Sequence, residues 1–137
     1  MNGEDPAGWD EIMAEDFTTH SPVASGVGRD RYRAAFSGYG KVFSDFATEV
    51  HRMIGEDDLV VVHATSRGRH TGAFLGIPSS GRPFAFSAIS IYRIANGKMA
   101  EAWYAEDTLG LLQQLGALPE DTGSIRRFWE EPTSKDG

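Results

Sequence analysis

The sequence predicts an α+β domain, with helices first, then a meander of about four or more antiparallel strands, then a short closing helix. Three observations support this. Apolar residues near the N-terminus recur at helical spacing, the period changes to two from Phe46 onward, and Asn96-Gly97 marks a tight hairpin turn. Helices and strands are segregated along the chain rather than alternating, which is the order found in α+β proteins.

The first part of the chain carries two helical patterns. Residues 9–16 have an apolar side and predict one or two helical turns, and residues 17–28 are predicted to form a loop. Residues 30–45 predict a longer helix, because aromatic side chains recur at i, i+4, i+7 and i+11 on one face. These side chains are Tyr32, Phe36, Tyr39 and Phe43.

The second part predicts two hairpins. Residues 46–54 and 59–68 alternate on either side of an acidic turn, and a loop rich in Gly and Pro follows at residues 71–83. The second hairpin joins FAFSAISIYRI to KMAEAWYAE through Asn96 and Gly97, both of which accept the positive φ of a type I′ turn. A short helix then begins near Thr108, and Gly116 is placed to terminate it.

With Asn96 and Gly97 as the two turn residues, the second hairpin acquires a definite register. The predicted pairs are Ala95 with Lys98, Tyr92 with Glu101, Ser90 with Trp103, and Phe86 with Asp107. Alternation then brings together aromatic and polar side chains, which is the composition of a small-molecule pocket. The opposite face contains Ile89 and Ile91 and suits a buried sheet face or a subunit interface.

Composition limits the classes of function. The 137 residues predict one domain, 1–119, with a C-terminal tail at 120–137. The net charge of −7 and the absence of a broad basic patch argue against nucleic-acid binding. No apolar run is long enough for a membrane span and no signal peptide is visible, so we expect a cytoplasmic location and no membrane partner. Without cysteine or a paired-histidine spacing, we expect no metal site.

Several motifs resemble a known family. They are DFTTHSP, FSDFATEV, a GxHxGxFxGIPxxG loop at residues 68–81 and an ExWxxxDxxGLLQQLG segment at residues 101–116. Over residues 10–119 the chain resembles the SnoaL-like polyketide (ester) cyclases, in the superfamily of nuclear transport factor two. The resemblance implies a cone-shaped α+β barrel with a pocket inside the cone, and a homodimer packed through the outer sheet face. It also implies ring closure by intramolecular aldol condensation of a small, apolar, carbonyl-containing molecule, without metal or organic cofactor.

The resemblance assigns the acid/base to Asp107, at the end of the last strand, and an assisting role to His20. Asp107 can equally be the N-cap of the closing helix, and the two roles are compatible. The remaining candidates are expected to contact substrate: Trp103, Phe86, Ser90, Tyr32, Phe36, His63 and His70. A non-catalytic ligand-binding or dimerisation module, or an isomerase or hydrolase of the same fold, stays an alternative.

The sequence also departs from the family pattern. His63 stands where many relatives have an arginine, and Arg69 stands where a threonine is common. The segment before DF is short, which predicts that one wall of the pocket is reduced.

Overall fold

A computed structural model describes residues 6–21 and 25–119. The predicted tail, 120–137, lies outside the described residues. The helices are α1 (Pro6–Ile12), α2 (Arg29–Val42) and α3 (Thr108–Gln114). The strands are β1 (Met13–His20), β2 (Gly26–Val27), β3 (Phe43–Glu56), β4 (Leu59–His70), β5 (Pro83–Ala95) and β6 (Lys98–Glu106).

The strands form one curled, six-stranded sheet in the order β2-β1-β6-β5-β4-β3. Every pairing is antiparallel except that of β1 with β6. The predicted α+β class is confirmed, and so is the antiparallel meander from β3 to β6.

Helix α2 packs its aromatic face along the inside of the sheet, but Phe43, the last residue of the predicted face, is the first residue of β3. Tyr32 and Phe36 pack against one cluster of buried residues, consisting of Trp9, Met13, Phe17 and Ala102. Tyr39 packs against a second cluster, consisting of Phe43, Phe84, Leu111 and Leu115. Because aromatic side chains bury a large apolar area each, this face of α2 fixes the helix against both ends of the sheet.

The structure of residues 13–20 differs from the sequence prediction. They were expected to be helix and then loop, but they form β1, with Met13, Phe17 and Thr19 buried. The strand exists because it pairs in parallel with β6, about eighty residues further along the chain. A polar segment of this length carries little strand signal of its own, and the pairing with a distant strand decides its structure.

The register of the second hairpin also differs from the prediction. Ala95 faces Lys98 as expected, but the register shifts after the Ile94–Met99 pair, and Ala100 is the additional residue on β6. The predicted pairs of Tyr92 with Glu101 and Ser90 with Trp103 are therefore wrong, as is that of Phe86 with Asp107. The observed pairs are Tyr92 with Ala102, Ile91 with Trp103, Ser90 with Tyr104, and Ala88 with Glu106.

This single bulge exchanges the two faces of β6 relative to β5, because successive side chains point to opposite sides of a sheet. Ala102, Tyr104 and Glu106 share the inner face, toward α2, with alternate residues of β5. Trp103 shares the outer face with Ile91. The pocket face predicted from the sequence therefore combined side chains from opposite sides of the sheet.

Helix α3 ends as predicted. Gly116 has φ 81°, and the amides of Gly116 and Ala117 donate to the carbonyls of Gln113 and Leu112. This is the Schellman arrangement of a helix C-terminus. The Gln114 side chain anchors the helix to β5 by bonding both the N–H and the C=O of Ala85.

Candidate functional site

A cavity of about 290 Å³ lies between α2 and the inner face of the sheet. That volume is at the lower end of the range for small-molecule sites. Most of its lining is apolar, and it includes Phe36, Tyr39, Phe46, Val62, Ala64, Phe74, Phe86, Ala88 and Leu111. The lining also includes exposed residues, among them Val50, Leu75 and Glu106, so the cavity is open to solvent.

Tyrosine hydroxyls form the main polar cluster of the cavity wall. The hydroxyls of Tyr32 (α2) and Tyr104 (β6) are 3.2 Å apart, and the Tyr92 ring (β5) packs edge-on against Tyr104 with ring centroids 6.0 Å apart. Burial raises the pKa of Tyr32 to about 12 and raises the pKa of Tyr104 further, so both phenols are neutral near pH 7. They can therefore serve as hydrogen-bond donors inside an apolar space.

Glu106 is the carboxylate of the cavity lining. It follows Tyr104 by two residues on β6 and therefore points to the same side of the sheet. Although Glu106 is part of the exposed rim of the cavity, the protein atoms around its carboxylate remove some of its water, and this desolvation raises its pKa. Among the described residues, its carboxylate has no hydrogen bond or ion pair that would lower the pKa again.

A second polar region lies where β1 meets α2. Arg31 and Ser21 belong to the cavity lining, and the Arg31 guanidinium donates to the Thr19 hydroxyl at 2.9 Å. On the opposite wall, the hydroxyls of Thr48 and Ser66 are 2.9 Å apart. These groups add hydrogen-bonding capacity at points separate from the tyrosine cluster.

Four of the predicted substrate contacts do line this cavity: Tyr32, Phe36, Phe86 and Ser90. Several cavity residues with polar groups were not singled out from the sequence, among them Arg31, Tyr92, Tyr104 and Glu106. Tyr104 and Glu106 were assigned to the opposite face by the wrong register. The signal that could have found them is their alternation with Ala102, which marks a second consistent face of β6.

The structure places His20 and Trp103 together on the outer face, away from the cavity lining. Their rings stack with centroids 5.3 Å apart, and His20 Nε2 lies 2.7 Å from the Glu101 carboxylate. Glu101 also accepts a hydrogen bond from Arg93. Hydrogen bonds from His20 and then Arg93 hold the pKa of Glu101 below its ordinary value. This cluster surrounds an indole that is 37% exposed.

The other two predicted histidines also lie outside the cavity lining. The His63 ring lies 5.1 Å from that of His51, on neighbouring strands. His70 is completely buried, and its Nδ1 accepts a hydrogen bond from the Ser80 amide. That bond holds the two ends of the 71–82 loop together. The loop carries Phe74 and Leu75, so His70 supports this part of the cavity wall.

Asp107 is the N-cap of α3. Its side chain is exposed, and Oδ1 accepts a hydrogen bond from the Gly110 amide at 2.9 Å. The cavity lining includes its neighbours Glu106 and Thr108 but not Asp107 itself. His20 pairs with Trp103, four residues before Asp107, which separates the two by about 13 Å along the strand. The catalytic role of either residue stays a prediction.

The described residues contain no group of three or more His, Cys, Asp or Glu side chains arranged to hold a metal ion. Within the same part of the chain, no helix is long and apolar enough to cross a membrane.

Comparison with known proteins supports the motif evidence. A family model described as SnoaL-like polyketide cyclase matches residues 1–115. The chain belongs to this family. The solved structure of TsrD from Streptomyces laurentii is 35% identical to this SnoaL-like chain, with a TM-score of 0.76, and the match covers 83% of this chain and 84% of TsrD.

Two curated relatives match a shorter segment. The aklanonic acid methyl ester cyclases DnrD of Streptomyces peucetius and DauD of Streptomyces sp. strain C5 are each 41% identical over 49 residues, 36% of this chain. The match spans 34% and 30% of the length of those relatives. A protein with a ketosteroid isomerase-like fold from Catenulispora acidiphila is 16% identical, with a TM-score of 0.66 over 78% of each chain, which shows the shared fold alone.

Proposed function

We propose that this SnoaL-like protein binds a small, apolar, carbonyl-containing molecule in its inner cavity and closes a ring by cofactor-independent acid/base chemistry. The observation that supports this most strongly is the cavity itself, an apolar space of about 290 Å³ whose lining includes neutral phenols and one carboxylate. Such a lining excludes water from most of the ligand while leaving a base and hydrogen-bond donors for a carbonyl group.

The reaction would need no second reactant. A base removes a proton alpha to one carbonyl, and the C–H electron pair forms an enolate. The enolate carbon then attacks a second carbonyl of the same molecule, so that a C–C bond forms and the electrons of that C=O bond move to oxygen. The resulting alkoxide takes the proton back, and the product is an isomer of the substrate. The names of the curated cyclase relatives support this reaction type.

The first test is whether the cavity binds and activates a ketone. The bicyclic ketone 2-tetralone is a suitable probe, since ¹H NMR in D₂O follows the loss of its α-protons. We expect the protein to accelerate exchange above the buffer rate, and Ala88→Trp, which fills the cavity, to return the rate to that of buffer. Ala34→Trp makes the same change at an exposed position of α2 and is the matched control. Exchange that is equal in the presence and absence of protein would argue for the alternative of a binding module without turnover.

The outer sheet face supports a second proposal, a homodimer. Ile89, Ile91 and Trp103 are 52%, 36% and 37% exposed, and they lie on adjacent strands. A contiguous apolar patch of this kind commonly marks a protein–protein contact. We propose that a second copy of the chain covers it, as the resemblance also implied.

A further inference from the structure

The Tyr32–Tyr104 pair has one more proton than its internal hydrogen bond uses. Two hydroxyls carry two protons, and the bond between them, 3.2 Å long, consumes one. The Tyr92 ring packs edge-on against Tyr104, and adding its hydroxyl to the pair would add one proton and one bond. In either case one O–H is left to donate, and all three side chains line the cavity.

Among the described residues, no further acceptor takes this remaining proton. In an apolar surrounding, an unused donor costs free energy until a ligand or water accepts from it. Hydrogen bonds along a chain of hydroxyls also polarise one another, which strengthens the final donor. A carbonyl oxygen is a good acceptor for such a donor, and it becomes a better one as negative charge develops on it.

Glu106 lines the same cavity as this donor. It is on the same face of β6 as Tyr104 and two residues further, a spacing of about 7 Å along the strand. The groups facing it from α2 are the phenols of Tyr32 and Tyr39, whose pKa values are raised mainly by burial and further by the charge of Glu106. Thr108 and Leu111, from the start of α3, complete this end of the lining. No described cation neutralises the carboxylate.

We propose that Glu106 is the base that removes the α-proton and that the Tyr32–Tyr104 pair binds the carbonyl oxygen of an enolisable ketone. This inference rests on the proposed function and assigns its chemistry to residues other than Asp107 and His20. In the first step the C–H bond breaks, an O–H bond forms on the Glu106 carboxylate, and the electron pair moves to the carbonyl oxygen, which accepts the tyrosine hydrogen bond. After ring closure, Glu106 returns the same proton to the alkoxide oxygen.

The oxygen-binding part is tested with 2-naphthol, a stable aromatic alcohol that imitates an enol and whose binding is followed by its fluorescence. We expect the double variant Tyr32→Phe/Tyr104→Phe to bind it at least tenfold more weakly than the wild type, because both hydroxyls of the pair are removed. The double variant is required, since either single change leaves one hydroxyl with a free proton. Tyr39→Phe removes a hydroxyl from the same cavity but outside the pair, and we expect a smaller loss than in the double variant. Equal losses in both variants would overturn the assignment of the pair.

The base is tested by 2-tetralone exchange in D₂O. Glu106→Gln is expected to lower the exchange rate at least a hundredfold toward the buffer rate while changing 2-naphthol affinity less than threefold, and Glu106→Asp to restore part of the rate. The wild-type rate should fall as pH drops through the raised pKa of Glu106. Glu56→Gln, at the exposed tip of the first hairpin, is the matched control.

The outcomes separate the two proposals. If the wild type neither binds 2-naphthol nor exchanges 2-tetralone, the proposed function fails. If the wild type does both and Glu106→Gln retains the exchange rate, the proposed function stands and the assignment of Glu106 is overturned. Loss of exchange in Asp107→Asn but not in Glu106→Gln would identify Asp107 as the base instead.

Discussion

Replacing Asp107 with alanine should destabilise the protein by about 1 kcal/mol, within a range of about 0.5–2 kcal/mol for the loss of an N-cap. The structural basis is one hydrogen bond, from the Gly110 amide to Asp107 Oδ1 at 2.9 Å. The side chain is exposed, so no cavity is created and the cap is the main contribution lost. The loss matters for the whole domain, because α3 carries Leu111 and Leu115 into the second core cluster.

The assay is urea unfolding followed by circular dichroism, with thermal unfolding as a second readout. For a domain of this size, about 1 kcal/mol corresponds to a decrease of about 2–5 °C in Tm. Asp107→Asn should stay close to the wild type, since asparagine caps helices about as well as aspartate. An alanine variant as stable as the wild type, or an asparagine variant as unstable as the alanine one, would refute the capping argument.

The same pair of variants separates folding from chemistry. Because Asp107→Asn preserves the cap but removes the carboxylate, any loss of turnover in that variant reports a chemical role. A loss of turnover seen only in Asp107→Ala would instead indicate that α3, and the cavity residues next to it, had moved.

Three further predictions concern other parts of the molecule. Burial raises the pKa of Glu106 above its ordinary 4.5, so the ionised carboxylate destabilises the folded state at higher pH. Glu106→Gln should therefore unfold at a higher temperature than the wild type at pH 8, and this difference should vanish below pH 4. Gly72→Ala should destabilise by about 1–3 kcal/mol in urea unfolding, since its Cβ would collide with the Lys41 carbonyl oxygen, whereas Ala73→Ser should not. Ile91→Glu should convert the proposed dimer to a monomer, which is measured as molecular mass by light scattering. A wild type that is already monomeric, or a variant that is still dimeric, would contradict that interface.

Local patterns predicted the elements whose signal is contained in a short stretch of chain. The aromatic spacing within residues 32–39 was enough to predict α2. The glycine at position 116, directly after a leucine-rich helical stretch, was enough to predict the end of α3. The turn at Asn96-Gly97 was predictable because few other residues accept its backbone conformation, and both have positive φ in the structure. These features need no knowledge of the rest of the fold.

The strand β1 and the bulge in β6 could not be predicted in this way. β1 forms because β6 offers it a parallel partner, and the bulge at Ala100 leaves no residue-type signal in the KMAEAWYAE segment. The bulge determines the candidate site, since it turns Tyr104 and Glu106 inward and Trp103 outward. A site predicted by alternation along a hairpin therefore depends on every residue between the turn and the site.

The most direct test of this account is a crystal structure of the protein with 2-naphthol bound. The rings should lie in the inner cavity, against Phe36 and Phe86, with the ligand oxygen within hydrogen-bonding distance of the Tyr32 or Tyr104 hydroxyl and beside the Glu106 carboxylate. A ligand stacked on Trp103 at the outer face, or one in the cavity whose oxygen bonds neither tyrosine, would contradict it.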